Sequence, residues 1–251
     1  MAPEMANDPE ARRTDSRTAV LPDSEALCRS ILERHHDTIG VRKPAVAVPK
    51  LQRILAAALE LSNRKGFQAM SLRDLSQASG LSAGGLYAYF DSKTTLLKMI
   101  LGEVTDSVRR VLSHPPAEVA ADPVAHLGWL IDTHLRLTEA MLPWFTFAFM
   151  EAKNFPPAER RIAIDSEALT ESYFAEVIAA GIAAGRLRPD TSPLLPALVK
   201  PLLQEWYVKR AKYRRRGVTL DVYSATVQDL VLRACLPEGA PRPAPSLTAG
   251  G

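Results

Sequence analysis

The chain has 251 residues, 47% of them hydrophobic and 24% charged, enough for one large domain or two small ones with their own cores. No stretch approaches the roughly 18 apolar residues of a membrane span, and Glu4, Asp8, Glu10 and Asp15 stand where a secretory leader needs an apolar core. The net charge of +3 is unevenly spread: residues 1–41 hold 5 basic against 8 acidic (−3), residues 42–110 hold 11 against 5 (+6), and residues 111–251 hold 15 against 15. A polyanion-binding module joined to a neutral body fits that distribution, and a plain solvated basic face fits it equally well. Cys28 and Cys235 match neither a metal spacing nor a disulfide framework. No metal and no cofactor is therefore expected, and a reduced, cytoplasmic setting is.

Residues 1–44 read as an N-terminal extension, largely disordered or carrying one extra helix. That helix would run over about 23–39, on a thin apolar stripe of Leu27 and Ile31, and the two prolines of Gly40–Pro49 read as a linker or arm. From Lys50 the pattern changes. Leu51, Ile54, Leu55, Ala58 and Leu59 recur at helical spacing, and Gly66 stops the helix. Ser71, with Asp74 three residues on, reads as the N-cap of a short helix that Ser79-Gly80 ends. Ser82 opens another, and a longer amphipathic helix over 93–112 is closed by His114-Pro115-Pro116. Further helices are expected over about 122–140, 143–153, 158–184, 193–213 and 219–235, with no alternating strand pattern. Residues 237–251, rich in Pro, Ala and Gly, read as a disordered tail. The fold class is thus all-α: a three-helix head over 45–112 containing a helix-turn-helix, and a helical ligand-binding and dimerisation body over 113–236.

The informative segment is Met70 to Lys93, MSLRDLSQASGLSAGGLYAYFDSK. Two short helices about a glycine turn form the layout in which the second helix enters the major groove. Ala83, Gly84 and Gly85 keep the front of that helix small, which lets the backbone approach the groove floor. The segment resembles the TetR/AcrR family of bacterial transcriptional regulators through Ser71, Gly80-Leu81-Ser82, Tyr87-Ala88-Tyr89-Phe90 and Asp91-Ser92-Lys93, over about residues 50–105. The resemblance implies that Ser71, Ser82, Tyr87, Tyr89 and Lys93 hold phosphates, while Arg73, Ala83, Gly84 and Gly85 face bases. Arg42, Lys43 and Lys50 would reach the flanking backbone or minor groove, as N-terminal arms do.

The body must be read from its residues. Asp122 to Met150 is rich in bulky apolar side chains, and Trp144, Phe145, Phe147 and Phe149 fall within six positions. Such a segment is either ordinary core or the lining of an apolar pocket formed by about 122–150 and 162–182. The candidate lining residues are Trp129, His134, Met141, Trp144, Phe145, Phe147, Phe149 and Phe174. The last two helices present Leu194, Leu195, Leu198, Val199, Leu202, Leu203 and Trp206, then Leu220, Tyr223, Val227, Leu230 and Val231. The resemblance implies that these build a four-helix dimer interface; packing within one subunit is the alternative. The basic run Lys209–Arg216 suits a solvated helix end or a clamp for a phosphate-bearing ligand.

The sequence therefore leads to a TetR-like regulator. It is expected to be a repressor that binds a palindromic double-stranded DNA operator as a homodimer. A small, largely apolar effector, such as an acyl-CoA, fatty acid or aromatic compound, would release it. The alternative is a non-sensing architectural DNA-binding protein. No G-x-S-x-G, H-E-x-x-H, Walker or Rossmann pattern is present, so no catalytic residues and no enzyme are expected.

Overall fold

The computed structural model describes residues 19–240; the ends expected to be unstructured lie, for 1–18 and 241–251, outside the described residues. The chain is all-α. Its helices are α1 (Ser24–Arg34), α2 (Pro44–Lys65), α3 (Leu72–Ser79), α4 (Ala83–Tyr87), α5 (Lys93–Leu112) and α6 (Ala117–Ala120). They continue with α7 (Pro123–Ala140), α8 (Leu142–Met150), α9 (Pro157–Ala183), α10 (Leu195–Val208), α11 (Arg210–Arg215) and α12 (Leu220–Cys235). A 3-10 turn, Ala152–Asn154, follows α8. No strand occurs among the described residues.

Short polar side chains set most of these starts. Asp23, Ser71, Ser82, Ser92, Asp122 and Thr219 each accept a backbone N–H of the first turn of the helix they precede. At α3 the cap is reciprocal: Asp74 N–H donates to Ser71 Oγ at 3.1 Å, and Ser71 N–H donates to Asp74 Oδ2 at 2.8 Å.

Two expectations need correcting. Gly40–Pro49 is not all linker, because α2 begins at Pro44. Proline is tolerated at a first helical position, where its missing N–H has no partner to lose. Pro49 forgoes one bond, toward a residue, Ala45, that is itself exposed. The helix expected over 193–213 is broken at Lys209 (φ −110°, ψ 25°) into α10 and α11.

The head is α1 to α4, and α5 runs from it into the body of α6 to α12. The extra N-terminal helix is a packed element. Leu27, Cys28, Ile31 and Leu32 are buried, and α1 lies against α2 and α5. A polar knot joins it to α5. Glu103 is fully buried there, paired with Arg110 at 2.6 Å and with Arg34, while Arg34 also reaches Asp106 at 3.0 Å. Burial, and then the Glu103 charge, push the Cys28 thiol up to about 12, which makes it unreactive. In the body, α7 packs on α9 and α12, and α10 packs on α9.

Candidate nucleic-acid interface and ligand cleft

The turn between α3 and α4 fixes the reading head. Gly80 takes φ +66°, the left-handed region, and a Cβ there would collide with the Arg53 guanidinium. Ser76 Oγ closes the turn by donating to the Leu81 carbonyl at 2.5 Å. Beyond it, Ser82 Oγ accepts the Gly85 N–H at 3.1 Å and starts α4. Ala83 and Gly84 are exposed, and a Cβ built on Gly84 would meet nothing within 4 Å. The front of α4 is thus a bare backbone ridge that can approach another surface closely.

Arg53 lies against this turn, and Arg73 on α3 and Lys43 and Lys50 at the start of α2 are, like it, without an ion pair among the described residues. Arg53, against the turn, carries no mark in the sequence; only its place beside Gly80 singles it out. Arg42 is exposed and donates to the His36 carbonyl, which anchors it beside the end of α1. Lys93 is half-buried. Its Nζ donates to the Gln68 carbonyl at 3.0 Å and sits 5.1 Å from the Phe67 ring centroid, so it braces the loop before α3. Burial, with Lys65 nearby, lowers its pKa.

One assignment implied by the resemblance does not survive the geometry, and a second is constrained by it. The resemblance puts Tyr89 on a phosphate, yet it is 1% exposed and its hydroxyl is buried without a partner. The turn after the short α4 carries Tyr89 inward, whereas Tyr87 is 53% exposed. Ser71 is likewise expected on a phosphate, but its hydroxyl hydrogen is committed to Asp74 Oδ2 at 2.6 Å. The Lys65 ammonium, 2.5 Å from Asp74, and the Ser71 hydroxyl hold that carboxyl well below the usual range. Ser71 is thus a helix cap whose hydroxyl is committed to a carboxylate that Lys65 neutralises.

In the body an open cleft of about 100 Å³ lies between α5, α8, α9 and α10. Val104, Val108, Phe145, Ala148, Phe149 and Ile164 supply its apolar walls, and Ser166, Glu167, Lys200, Gln204 and Tyr207 its polar ones. Of the expected lining residues, only Phe145 and Phe149 belong to it. Met141, Trp144, Trp129 and Phe174 are buried outside the lining and pack as core. His134 is one layer back, its ring 5.9 Å from Phe145. Phe147 serves a different purpose: it packs edge-on against Phe67 at 5.5 Å and tilted against Phe155 at 5.6 Å.

Phe147 therefore joins body to head. Next to it Glu151 Oε2 accepts the Phe67 backbone N–H at 3.0 Å, and Gln68 Nε2 donates to the Asn154 carbonyl at 3.3 Å. One helix, α8, thus presents Phe145, Ala148 and Phe149 to the cleft and Phe147 to the loop that leads into α3.

The wide apolar faces of α10 and α12 are divided. Leu195, Val199, Leu203, Trp206, Tyr223, Val227 and Val231 are buried within the chain, while Leu194, Leu198, Val222 and Leu230 are exposed. In the basic run, Arg210 pairs with Glu139 at 2.8 Å and stacks on Trp206, and Lys212 pairs with Glu205 at 2.5 Å. Arg214, Arg215 and Arg216 follow at the end of α11.

Residues 54–100 match the family model of bacterial regulatory proteins, tetR family. The HTH-type transcriptional regulator HbdR of Aromatoleum sp. (strain CIB) is 24% identical over 192 residues, which span 72% of this chain and 83% of that protein. The HTH-type transcriptional repressor KstR of Rhodococcus jostii (strain RHA1) is 26% identical over 198 residues, 76% of this chain and 85% of KstR. Among solved structures, the TetR-family regulator PfmR from Thermus thermophilus superposes with a TM-score of 0.59 at 28% identity, over 72% of this chain and 97% of PfmR.

Proposed function

We propose that the chain is a regulator of the TetR kind, a helix-turn-helix DNA-binding protein and not an enzyme, and that it acts as a dimeric repressor released by a small apolar effector, a reading supported by the tetR-family match over residues 54–100 and the likeness to HbdR and PfmR. In this reading Arg73, Ala83, Gly84 and Gly85 face the bases. Ser82, Tyr87 and Lys93, with Arg42, Lys43, Lys50 and Arg53, neutralise phosphates. The dimer forms through the exposed halves of α10 and α12, whose Leu194, Leu198, Val222 and Leu230 leave apolar surface uncovered in one chain. Two heads then meet half-sites about 34–36 Å apart, or a multiple of that, on a palindrome. The repressor sign is supported by the name of KstR.

One observation carries the effector half of the proposal: α8 touches the cleft with Phe145 and Phe149 and the head with Phe147, and Glu151, just past its end, adds a hydrogen bond to the head. A ligand that prises Phe145 and Phe149 away from α9 and α10 displaces the same helix that seats Phe67. That supplies the differential contact on which any coupling between sites depends. The cleft is smaller than the ~300–1,000 Å³ of most ligand sites, as fits a helix that closes on it in the DNA-binding state.

The test is fluorescence anisotropy of the protein on DNA from just upstream of its own gene, at fixed salt, with and without apolar acids, alcohols and acyl-CoAs. A tight, salt-sensitive complex on one palindrome, weakened by Arg73→Ala and dissociated by one ligand class, is the expected result. Equal affinity for the palindrome and bulk DNA, unchanged by every ligand, would favour an architectural role instead.

A further inference from the structure

The polar end of the cleft holds a buried cation that forms no ion pair among the described residues, although the Glu167 carboxylate also lines the cleft. Lys200 is only 5% exposed. Its Nζ lies 3.3 Å from His134 Nε2 and 3.4 Å from Thr170 Oγ1, both long contacts. Among the described residues no carboxylate comes within 4.0 Å of it: Glu167 and Glu171 act on Lys200 only through space, and Glu167 instead accepts the Gln204 amide at 2.8 Å. Every other group in the cluster is a donor or already engaged. Thr170 Oγ1 donates to the Ser166 carbonyl at 3.2 Å. Burial, and then the Lys200 charge, drive the His134 pKa well below its ordinary value, so its ring is neutral. With Nε2 facing the ammonium as acceptor, Nδ1 carries the hydrogen, and Nδ1 is buried without a partner. Burial lowers Lys200 itself to about 8, so at neutral pH most molecules keep the charge. Buried charges are normally paired, and what this cluster lacks is a negatively charged acceptor.

We propose that this cluster is the head-group site of the cleft: Lys200, positioned by His134 and Thr170, binds the carboxylate of an apolar carboxylic acid whose hydrocarbon part lies along Phe145, Ala148, Phe149 and Ile164. The proposal rests on the reading of the cleft as the effector site. A monoanion matches the single cation and leaves a neutral pair. A phosphate dianion would bring excess negative charge toward Glu167 and Glu171. A thioester carbonyl would leave the ammonium unneutralised.

The full chain is titrated by calorimetry with octanoate, octan-1-ol and octanoyl-CoA, as wild type and as Lys200→Met and Lys200→Gln, with circular dichroism as the check on folding. DNA release by each probe is followed in parallel. Octanoate is expected to bind wild type roughly 10- to 100-fold more tightly than octan-1-ol, the worth of a charge-assisted hydrogen bond. Lys200→Met removes that advantage and leaves octan-1-ol unchanged; Lys200→Gln, with a donor but no charge, falls between. Octan-1-ol binding as well as octanoate and releasing DNA would overturn the head-group site while leaving the effector cleft standing, as would an unchanged octanoate affinity in Lys200→Met. Tighter binding of octanoyl-CoA than of octanoate would also overturn it. Binding by none of the three would remove the cleft reading, and the head-group site with it.

Discussion

The carboxylate of Glu151, one residue beyond α8, accepts the backbone N–H of Phe67, one residue beyond the Gly66 that ends α2, at 3.0 Å across the boundary between body and head. A side chain that caps a peptide N–H in another part of the fold couples the two only while both hold their positions. Glu151→Ala leaves that half-buried N–H without an acceptor and is expected to cost about 1–2 kcal/mol. Glu151→Gln keeps an uncharged acceptor and costs less. Urea melts of both variants give the sizes; equal stability of Glu151→Ala and wild type would contradict the contact's weight.

The two tyrosines near α4 separate stability from binding. Tyr89→Phe deletes a buried, unpartnered hydroxyl and is expected to leave DNA affinity intact while changing stability by no more than about 1 kcal/mol, in the favourable direction. Tyr87→Phe removes an exposed hydroxyl and is expected to weaken DNA binding several-fold, uniformly across sequences, with stability unchanged. Anisotropy and thermal melts on the two variants check both; the reverse pattern would return Tyr89 to the interface.

At the turn, Gly80→Ala meets a left-handed φ of +66° and the Arg53 guanidinium together. A loss of about 1–2 kcal/mol is expected, from strain and from the displaced arginine. In Gly80→Ala/Arg53→Ala the steric part disappears and only the backbone part remains. A double-mutant cycle on chemical melts would show that coupling, and strict additivity would argue against the contact.

Lys200 makes a pH-dependent prediction. The fold holds its pKa at about 8 against 10.5 for an ordinary lysine, so between those values the unfolded chain binds more protons and stability rises with pH. The penalty is full below pH 8 and fades toward pH 10.5; its size is on the order of 3 kcal/mol. Without ligand, Lys200→Met is therefore expected to be more stable than wild type near pH 7, by about 1–3 kcal/mol, and the gain should shrink near pH 9.5. Urea melts at the two pH values decide it, and a destabilised variant near pH 7 would mean that Lys200 is better paired than the geometry indicates.

What was legible in the sequence was local. Ser71 and Ser82 announce helix starts because a cap bonds within three residues of itself, and Gly80 announces its turn because only glycine sits there without strain. What was illegible depends on a partner far along the chain. Tyr87 and Tyr89 look equivalent two positions apart, and tertiary packing alone sends one out and the other in. Lys200 carries no mark in the sequence; its place is set only when α7 and α9 bring His134 and Thr170 to it. Phe147 reads as pocket lining until Phe67, eighty positions earlier, is seen against it. The prolines at 44 and 49 hid the true start of α2, because their missing donors fall where the helix tolerates the loss.

The knot around Glu103 bears on how such regulators can be recombined. An exchange of reading heads at the N-terminal edge of α2 would keep Glu103 and Arg110 on α5 but discard Arg34, one of the two guanidiniums that neutralise a carboxylate with no access to water. It would also strip the lid that Leu27, Cys28, Ile31 and Leu32 form over the apolar surfaces of α2 and α5. The transplantable unit thus begins at Asp23, the cap of α1, and a graft cut at residue 44 leaves the Glu103 charge with Arg110 as its one remaining guanidinium partner.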